Sequence, residues 1–309
     1  MRQKQGLNMV KTYLARIFAL SLIVFLAATT LVEAQEVGEY GFLEIPVSTR
    51  SAALGGSAIS VVEPELSLID QNPALLCQQM SGQVSLSYIN YVSDINLGYA
   101  SYAGKFGHGA WAGSVRYVDY GEFIRTDING NTAGTFSAKD IAVSGSVGYP
   151  VNDRLNIGGT FRFIYSGYES YSAIALGVDF ALNYYDEEQG RSLSFVASNL
   201  GGQVKRLYDR YQGLPTQIAV GFSKEVEHLP ICVSVTAQRL LDWDIDFVKH
   251  IVLGAEWIVS ENFYIAAGYN FRNFSAGTGF NYRNWKFQLA YARYNSIDGS
   301  LNFGITYKI

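Results

Sequence analysis

The residues able to do chemistry in this chain are few and far apart. His108, His228 and His250 are scattered, with no nucleophile paired to any of them and no spacing that would ligate a metal. No glycine-rich loop follows a strand and opens a helix, as a phosphate cradle would require. Asp242, Asp244 and Asp246 alternate and could offer oxygens to Ca²⁺, but the glycine and distal glutamate of an EF-hand loop are missing, so a solvated acidic loop is the simpler reading. Cys77 and Cys232 could form a disulfide in an oxidising compartment, or each could be a small apolar packing residue. The sequence therefore reads as a non-enzyme with no catalytic, cofactor or metal residues. Its remaining chemistry is contact chemistry. Between Asn199 and Thr216 stand Lys205, Arg206, Tyr208, Arg210 and Tyr211, and Arg and Tyr are the residue types in which interface energy concentrates, so these five are the partner-contact candidates.

The elements that must present them are strands. With 31 Gly, 22 Tyr and 18 Phe but only 6 Pro in 309 residues, the composition favours strands and tight turns over helices. From Val84 onward apolar residues alternate with small or polar ones. Trp285, Phe287, Leu289 and Tyr291 oppose Lys286, Gln288, Ala290 and Ala292; Leu301, Phe303, Ile305, Tyr307 and Ile309 oppose Ser300, Asn302, Gly304, Thr306 and Lys308; and the run Ala173–Tyr184 repeats the pattern. A soluble sandwich would alternate too. However, the runs are about ten residues long, the length of a tilted membrane-crossing strand, with Tyr and Phe gathered at their ends as in an interfacial girdle. Strands can cross lipid only as a closed barrel. The expected fold is all-β: a transmembrane antiparallel β-barrel of about 14 strands with an N-terminal plug segment.

Turn signals place the strands near 84–91, 95–105, 108–119, 136–150, 155–166, 172–186, 190–198, 217–226, 230–238, 248–259, 261–271, 274–281, 285–294 and 299–308. Long connections at 121–135, 199–216 and 239–247 then alternate with short ones at 151–154, 186–189 and 260, as external loops alternate with periplasmic turns. Ahead of the barrel, Arg2, Lys4, Lys11 and Arg16 precede an apolar run from Ile17 to Val32 and the sequence Val32-Glu33-Ala34, which reads as a secretory signal peptide cleaved before Gln35. The expected organisation is a signal peptide over 1–34, a plug over 35–83 and a barrel over 84–309. It would sit in the outer membrane, against its lipid, with long loops extracellular and both termini periplasmic. The net charge of -4 gives no footprint for nucleic acid.

The segment before Val84 breaks the barrel pattern. It holds Gly41-Phe42-Leu43-Glu44-Ile45-Pro46, Ser48-Thr49-Arg50-Ser51-Ala52-Ala53-Leu54-Gly55-Gly56 and Asn72-Pro73-Ala74-Leu75-Leu76, with Asn72 as an N-cap and Pro73 opening a short helix. Together these stretches resemble the N-terminal signature of the PorV/PorQ family of type IX secretion proteins of Bacteroidota, barrels related to FadL-type long-chain fatty-acid transporters. The motif positions are Pro46, Ala53, Leu54, Gly55, Gly56, Asn72, Pro73 and Ala74. At the other end Asn302, Gly304, Tyr307 and Ile309 resemble the signal read by the barrel-insertion machinery, with Ile309 in place of the usual terminal aromatic. The resemblance implies a fourteen-stranded barrel with an N-terminal plug and no cofactor. It also implies a role in the complex that attaches cargo carrying C-terminal sorting domains to the cell surface, with PorZ, the sortase PorU and the barrel PorV as partners. The alternative implied by the distant relatives is a channel for small hydrophobic molecules.

Overall fold

Period-two runs rich in aromatic and β-branched residues form strands, and here each antiparallel strand pairs with the next until the last meets the first. A computed structural model describes residues 40–91, 95–126, 131–169, 171–206, 211–242, 246–271, 273–294 and 299–309; the expected signal peptide, Tyr208, Arg210 and Asp244 lie outside the described residues. The strands are β1 (Gln83–Asn90), β2 (Asn96–Phe106), β3 (Gly109–Thr126), β4 (Thr132–Pro150), β5 (Leu155–Tyr168), β6 (Tyr171–Asp186) and β7 (Arg191–Lys205), then β8 (Gln217–Glu225), β9 (Ile231–Ala237), β10 (Ile251–Ser260), β11 (Phe263–Asn270), β12 (Asn273–Tyr282), β13 (Trp285–Tyr294) and β14 (Ser300–Lys308). β14 pairs with β1 from Gln83↔Lys308 to Asn90↔Leu301, which closes the barrel and leaves no edge in lipid.

Three strands run further than their turn signals suggest. β3 and β4 carry 18 and 19 residues and β7 carries 15. Gly121, with φ of 78°, and Asn199, with φ of 57°, read as turn residues in the sequence. In the fold they sit in bulges, where the ladders β3–β4 and β6–β7 shift register and then continue. Much of the expected loops at 121–135 and 199–216 is therefore extended strand. β10, by contrast, starts later than expected because Phe247–His250 forms a 3₁₀ turn.

The outward face is apolar. Val115, Val143, Phe161, Leu182, Leu253, Ile265, Phe287, Leu289, Phe303 and Ile305 are all exposed. Rings such as Trp111, Trp257, Trp285 and Tyr282 lie nearer the short-turn end, and Tyr88, Tyr117 and Tyr165 nearer the other. So wide an apolar surface is stable only in lipid. Leu289 is 42% exposed while its neighbour Gln288 is 6% exposed. Leu289→Arg should cost about 2–4 kcal/mol if it lies near the bilayer midplane. Urea titration of the reconstituted barrel should show this against an unaffected Leu289→Ile control. A change at Gln288 should not be mild either, because the Gln288 amide donates to Glu65 Oε2 at 3.0 Å.

The lumen holds residues 40–82. The chain starts at the long-loop end, where Tyr40, Phe42, Leu43 and Val47 pack with Ile89, Leu97, Val118 and Leu214. It descends through helix α1 (Thr49–Ala53), with Leu54 and Gly55 set against β10 to β12, and reaches the short-turn end near Glu63. It then rises to Asp70 and returns through the 3₁₀ turns Pro73–Leu75 and Gln78–Met80 to β1. Ile309 lies at the short-turn end, its N–H bonded to Gly82 O at 2.9 Å. Tyr40 therefore lies at the opposite end from Ile309; the expected mature N-terminus at Gln35 lies outside the described residues.

Candidate functional site

The plug is anchored by two buried charge clusters and by glycines in the wall. α1 begins at Ser48, whose Oγ accepts from Ser51 N at 3.3 Å, and it carries Arg50 inward to a position 3% exposed. The Arg50 guanidinium reaches Glu65 Oε2 and Glu256 Oε1, each at 3.0 Å, and lies 4.2 Å from the centre of the Tyr264 ring. Glu65 also receives Lys286 Nζ at 3.4 Å and Ser67 Oγ at 3.0 Å. Burial alone would raise the Glu65 carboxyl. Arg50, Lys286, Gln288 and Ser67 outweigh it and hold the pKa at about 2, below its ordinary 4.5. A depressed carboxyl contributes stability that is full above its unfolded pKa and lost as pH falls through the folded one. Plug amides around Ala52–Gly56 should therefore be fully protected from hydrogen exchange at pH 7, with protection declining progressively below about pH 4.5 and its Glu65 share gone as pH falls through about 2.

The second cluster centres on Asp70. Its carboxylate pairs with Arg116 at 2.5 Å and with Arg162 at 3.2 Å, and Arg162 reaches on to Asp179 at 2.9 Å. Arg116 also donates to Phe42 O at 2.7 Å, which ties the upper plug to β3. The other Asp179 oxygen accepts from Asn199 N at 2.6 Å, so this cluster also holds the β7 bulge. Unpaired, any one of these charges would cost several kcal/mol.

The motif positions serve close approach. A Cβ on Gly268 would fall 2.0 Å from Gly55 N, and one on Gly158 would fall 2.2 Å from the Pro73 carbonyl carbon, so the plug backbone lies directly on glycine in the wall. Gly277 faces the Ala53 methyl, and Leu54 packs over Gly254. Gly55 and Gly56 have φ of 87° and 97°, a turn that only glycine makes without strain. Asn72 caps its 3₁₀ turn through Ala74 N at 2.9 Å and donates to Ile59 O at 2.6 Å. Pro46 is half-buried just before Val47. Of the C-terminal positions, Asn302 is buried in the lumen, Gly304 faces Thr49, Tyr307 packs at a tilt against Trp285 with centroids 4.5 Å apart, and Ile309 is exposed.

At the long-loop mouth the contact candidates are split. Lys205 is exposed and donates to Ser172 Oγ at 2.7 Å, and Arg206 lies 5.8 Å from the exposed Tyr211 ring. The connection then turns inward. Leu214 is buried among Tyr40 and Phe42, and the Asn199 amide and Thr216 hydroxyl tie it to the bulge. Part of this loop thus closes the mouth rather than presenting a surface. Asp242 and Asp246 pair with Arg239 at 3.3 Å and Lys249 at 2.9 Å, His250 Nδ1 lies 3.0 Å from Gln238 O, and Cys77 and Cys232 are free thiols.

Sequence reasoning missed Arg50, Glu65, Asp70 and Glu256. One signal could have found them: the lumen-facing wall positions include Arg116, Arg162 and Lys286, and such buried cations demand acids on whatever fills the lumen. Among the described residues the two best-formed cavities measure about 40 and 30 Å³, the first lined by Glu44, Asp70, Arg162 and Asn199 among others. Each has room for about one water.

These features define a plugged, fourteen-stranded transmembrane β-barrel of the outer-membrane type. By sequence, no protein-family model and no curated protein matches the chain. By structure, it resembles the toluene transporter TodX of Pseudomonas putida, with a TM-score of 0.61 at 10% identity over 85% of this chain and 98% of that one. A FadL homologue of Pseudomonas aeruginosa gives a TM-score of 0.54 at 10% identity over the same shares. At that identity the likeness shows the fold alone: the chain shares the barrel architecture of these two proteins.

Proposed function

We propose that this protein is a non-conducting outer-membrane scaffold of PorQ type, which works through its long-loop end in the surface attachment complex of a type IX secretion system. The observation that carries the reading is the filled lumen. A small-molecule site of ordinary size needs about 300–1,000 Å³ with an apolar lining. Here the lumen is occupied by a plug locked through Arg50 and Asp70, and the mouth is covered by Leu214. A barrel without a path acts through its surfaces. The N-terminal signature supplies the particular complex, with PorZ held at the surface beside PorU and PorV, long loops outward and Ile309 periplasmic.

A second reading has its own support. TodX is a toluene transporter, and the fold likeness favours a channel for small hydrophobic molecules more than it favours a scaffold. In that reading the plug must shift to open a path.

One experiment separates them. The barrel, tagged in a long loop, is extracted from its native membrane in mild detergent and washed with salt. Stoichiometric recovery of a surface sortase and a large surface protein supports the scaffold. Recovery of the barrel alone, together with selective hydrophobic uptake in liposomes, supports the channel.

A further inference from the structure

The cavity of about 30 Å³ at the short-turn end is lined by Glu63 from the plug and by Glu225, Cys232 and Glu256 from the wall, and no lysine, arginine or histidine lines it. The three wall residues form one row, since Cys232 pairs with Glu225 on β8 and with Glu256 on β10. β8 and β10 stand roughly 10 Å apart across β9. Two carboxylates therefore flank a small thiol. Arg50 serves this group at one side only, reaching Glu256 Oε1 at 3.0 Å and Glu63 at 3.6 Å while also pairing with Glu65. Lys224, next to Glu225 in the chain, pairs instead with Glu227 at 3.6 Å. Glu256 is 4% exposed, and its Oε2 is buried with no hydrogen-bond partner among the described residues. A carboxylate oxygen left so costs free energy that a bound donor would recover.

Size, coordination and the rim together define what fits. The cavity has room for one water-sized group, and a primary ammonium is such a group, compact and carrying three donors. A bare divalent ion fits less well, because among the described residues no three His, Cys, Asp or Glu side chains converge to hold a metal. The rim is apolar: Val62 and Ile258 also line the cavity, and both are partly open to solvent. Acids at the floor and aliphatic groups at the rim match a charged head on a methylene stem.

We propose that this cavity seats a primary alkylammonium group, its head among Glu63, Glu225 and Glu256 Oε2 and its methylenes against Val62 and Ile258. A lysine side chain of another protein and a free alkylamine share this chemistry. The site stands under either reading of the barrel, scaffold or channel, since both leave the short-turn end open to solvent.

Cys232 supplies the test, because its thiol lines the cavity. The full-length protein in detergent is treated with aminoethyl, trimethylammonioethyl and sulfonatoethyl methanethiosulfonate. Labelling at Cys232 is followed by peptide mass, and each rate is divided by the same reagent's rate on a small free thiol. The aminoethyl reagent should label about tenfold faster than the anionic one, and clearly faster than the trimethylammonio reagent, which has the charge but no N–H to donate. Pentylamine should slow the labelling, whereas Mg²⁺ at the same concentration should not. Glu256→Gln should remove the preference. Glu225→Gln, at an exposed position away from Arg50, should weaken it even if the first variant loosens the plug, and the heat-dependent gel shift reports that each barrel is folded. Competition by N-acetyl-lysine amide at least equal to that by pentylamine would identify the source as a lysine side chain; competition by pentylamine alone would identify a free amine. Equal corrected rates for the cationic and anionic reagents overturn the proposal. So do equal rates for the two cationic reagents, or Mg²⁺ competing as well as pentylamine, since either reduces the site to a negative potential without a seat for N–H donors.

Discussion

Replacing Arg50 by alanine is expected to weaken plug docking by about 3–5 kcal/mol, the cost of stranding buried charges. Arg50 is the point at which Glu65 from the plug and Glu256 from β10 meet one cation, and both carboxylates are buried with it. Without the guanidinium two acids face each other, Lys286 at 3.4 Å being Glu65's remaining cation. They must then ionise unpaired, take up protons, or admit water by moving the plug. Limited proteolysis of the reconstituted barrel reads the outcome as faster cleavage within 48–72, with the wall strands still resistant. Arg50→Lys should recover only part of the loss, because an ammonium cannot match the reach of the guanidinium fork to both acids.

Asp70→Ala should cost a similar amount by the opposite logic. Asp70 is the plug's contribution to Arg116 and Arg162, and both side chains are almost wholly buried. Arg162 keeps Asp179 at 2.9 Å, whereas Arg116 keeps only a carbonyl, Phe42 O. The damage should therefore concentrate on the β3 side and on the upper plug around Tyr40–Val47. Hydrogen exchange should show protection lost there by about 3–5 kcal/mol, with less change at Ala52–Gly56. Asp70→Asn, which keeps hydrogen-bonding capacity without the charge, should fall between. If Asp70→Ala and Arg50→Ala loosened the same residues equally, the plug would be one cooperative unit rather than two anchored halves.

How far the sequence could be read depended on which physical signal each element carries. Period-two alternation is local, so the fourteen strands were legible, as was the facing of the runs at 173–184, 285–292 and 300–309, down to Leu289 outward and Gln288 inward. Strand ends were less legible where a bulge borrows turn chemistry. Gly121 and Asn199 announce a turn, and only tertiary pairing reveals that β3 and β7 continue past them. Glycines in the motif were visible as backbone signals, but their counterparts Gly158 and Gly268 look like ordinary strand glycines until the plug is seen lying on them. Arg50 and Glu256 meet across 206 positions, and no local pattern joins residues so far apart. In the 199–216 connection Leu214 turns inward, because a mouth lined by Phe42 and Val47 needs an apolar cover, and no local pattern marks that residue out.

The central claim is that this barrel is sealed by its own N-terminal segment. Electrical recording of the purified full-length protein in a planar bilayer tests it most directly. A silent membrane is expected for the native protein, and step conductances once Arg50→Ala and Asp70→Ala are combined to free the plug. Stable, ohmic open-channel steps from the native protein would contradict it, because current on that scale cannot pass a lumen filled by residues 40–82 and pinned through Arg50 and Asp70.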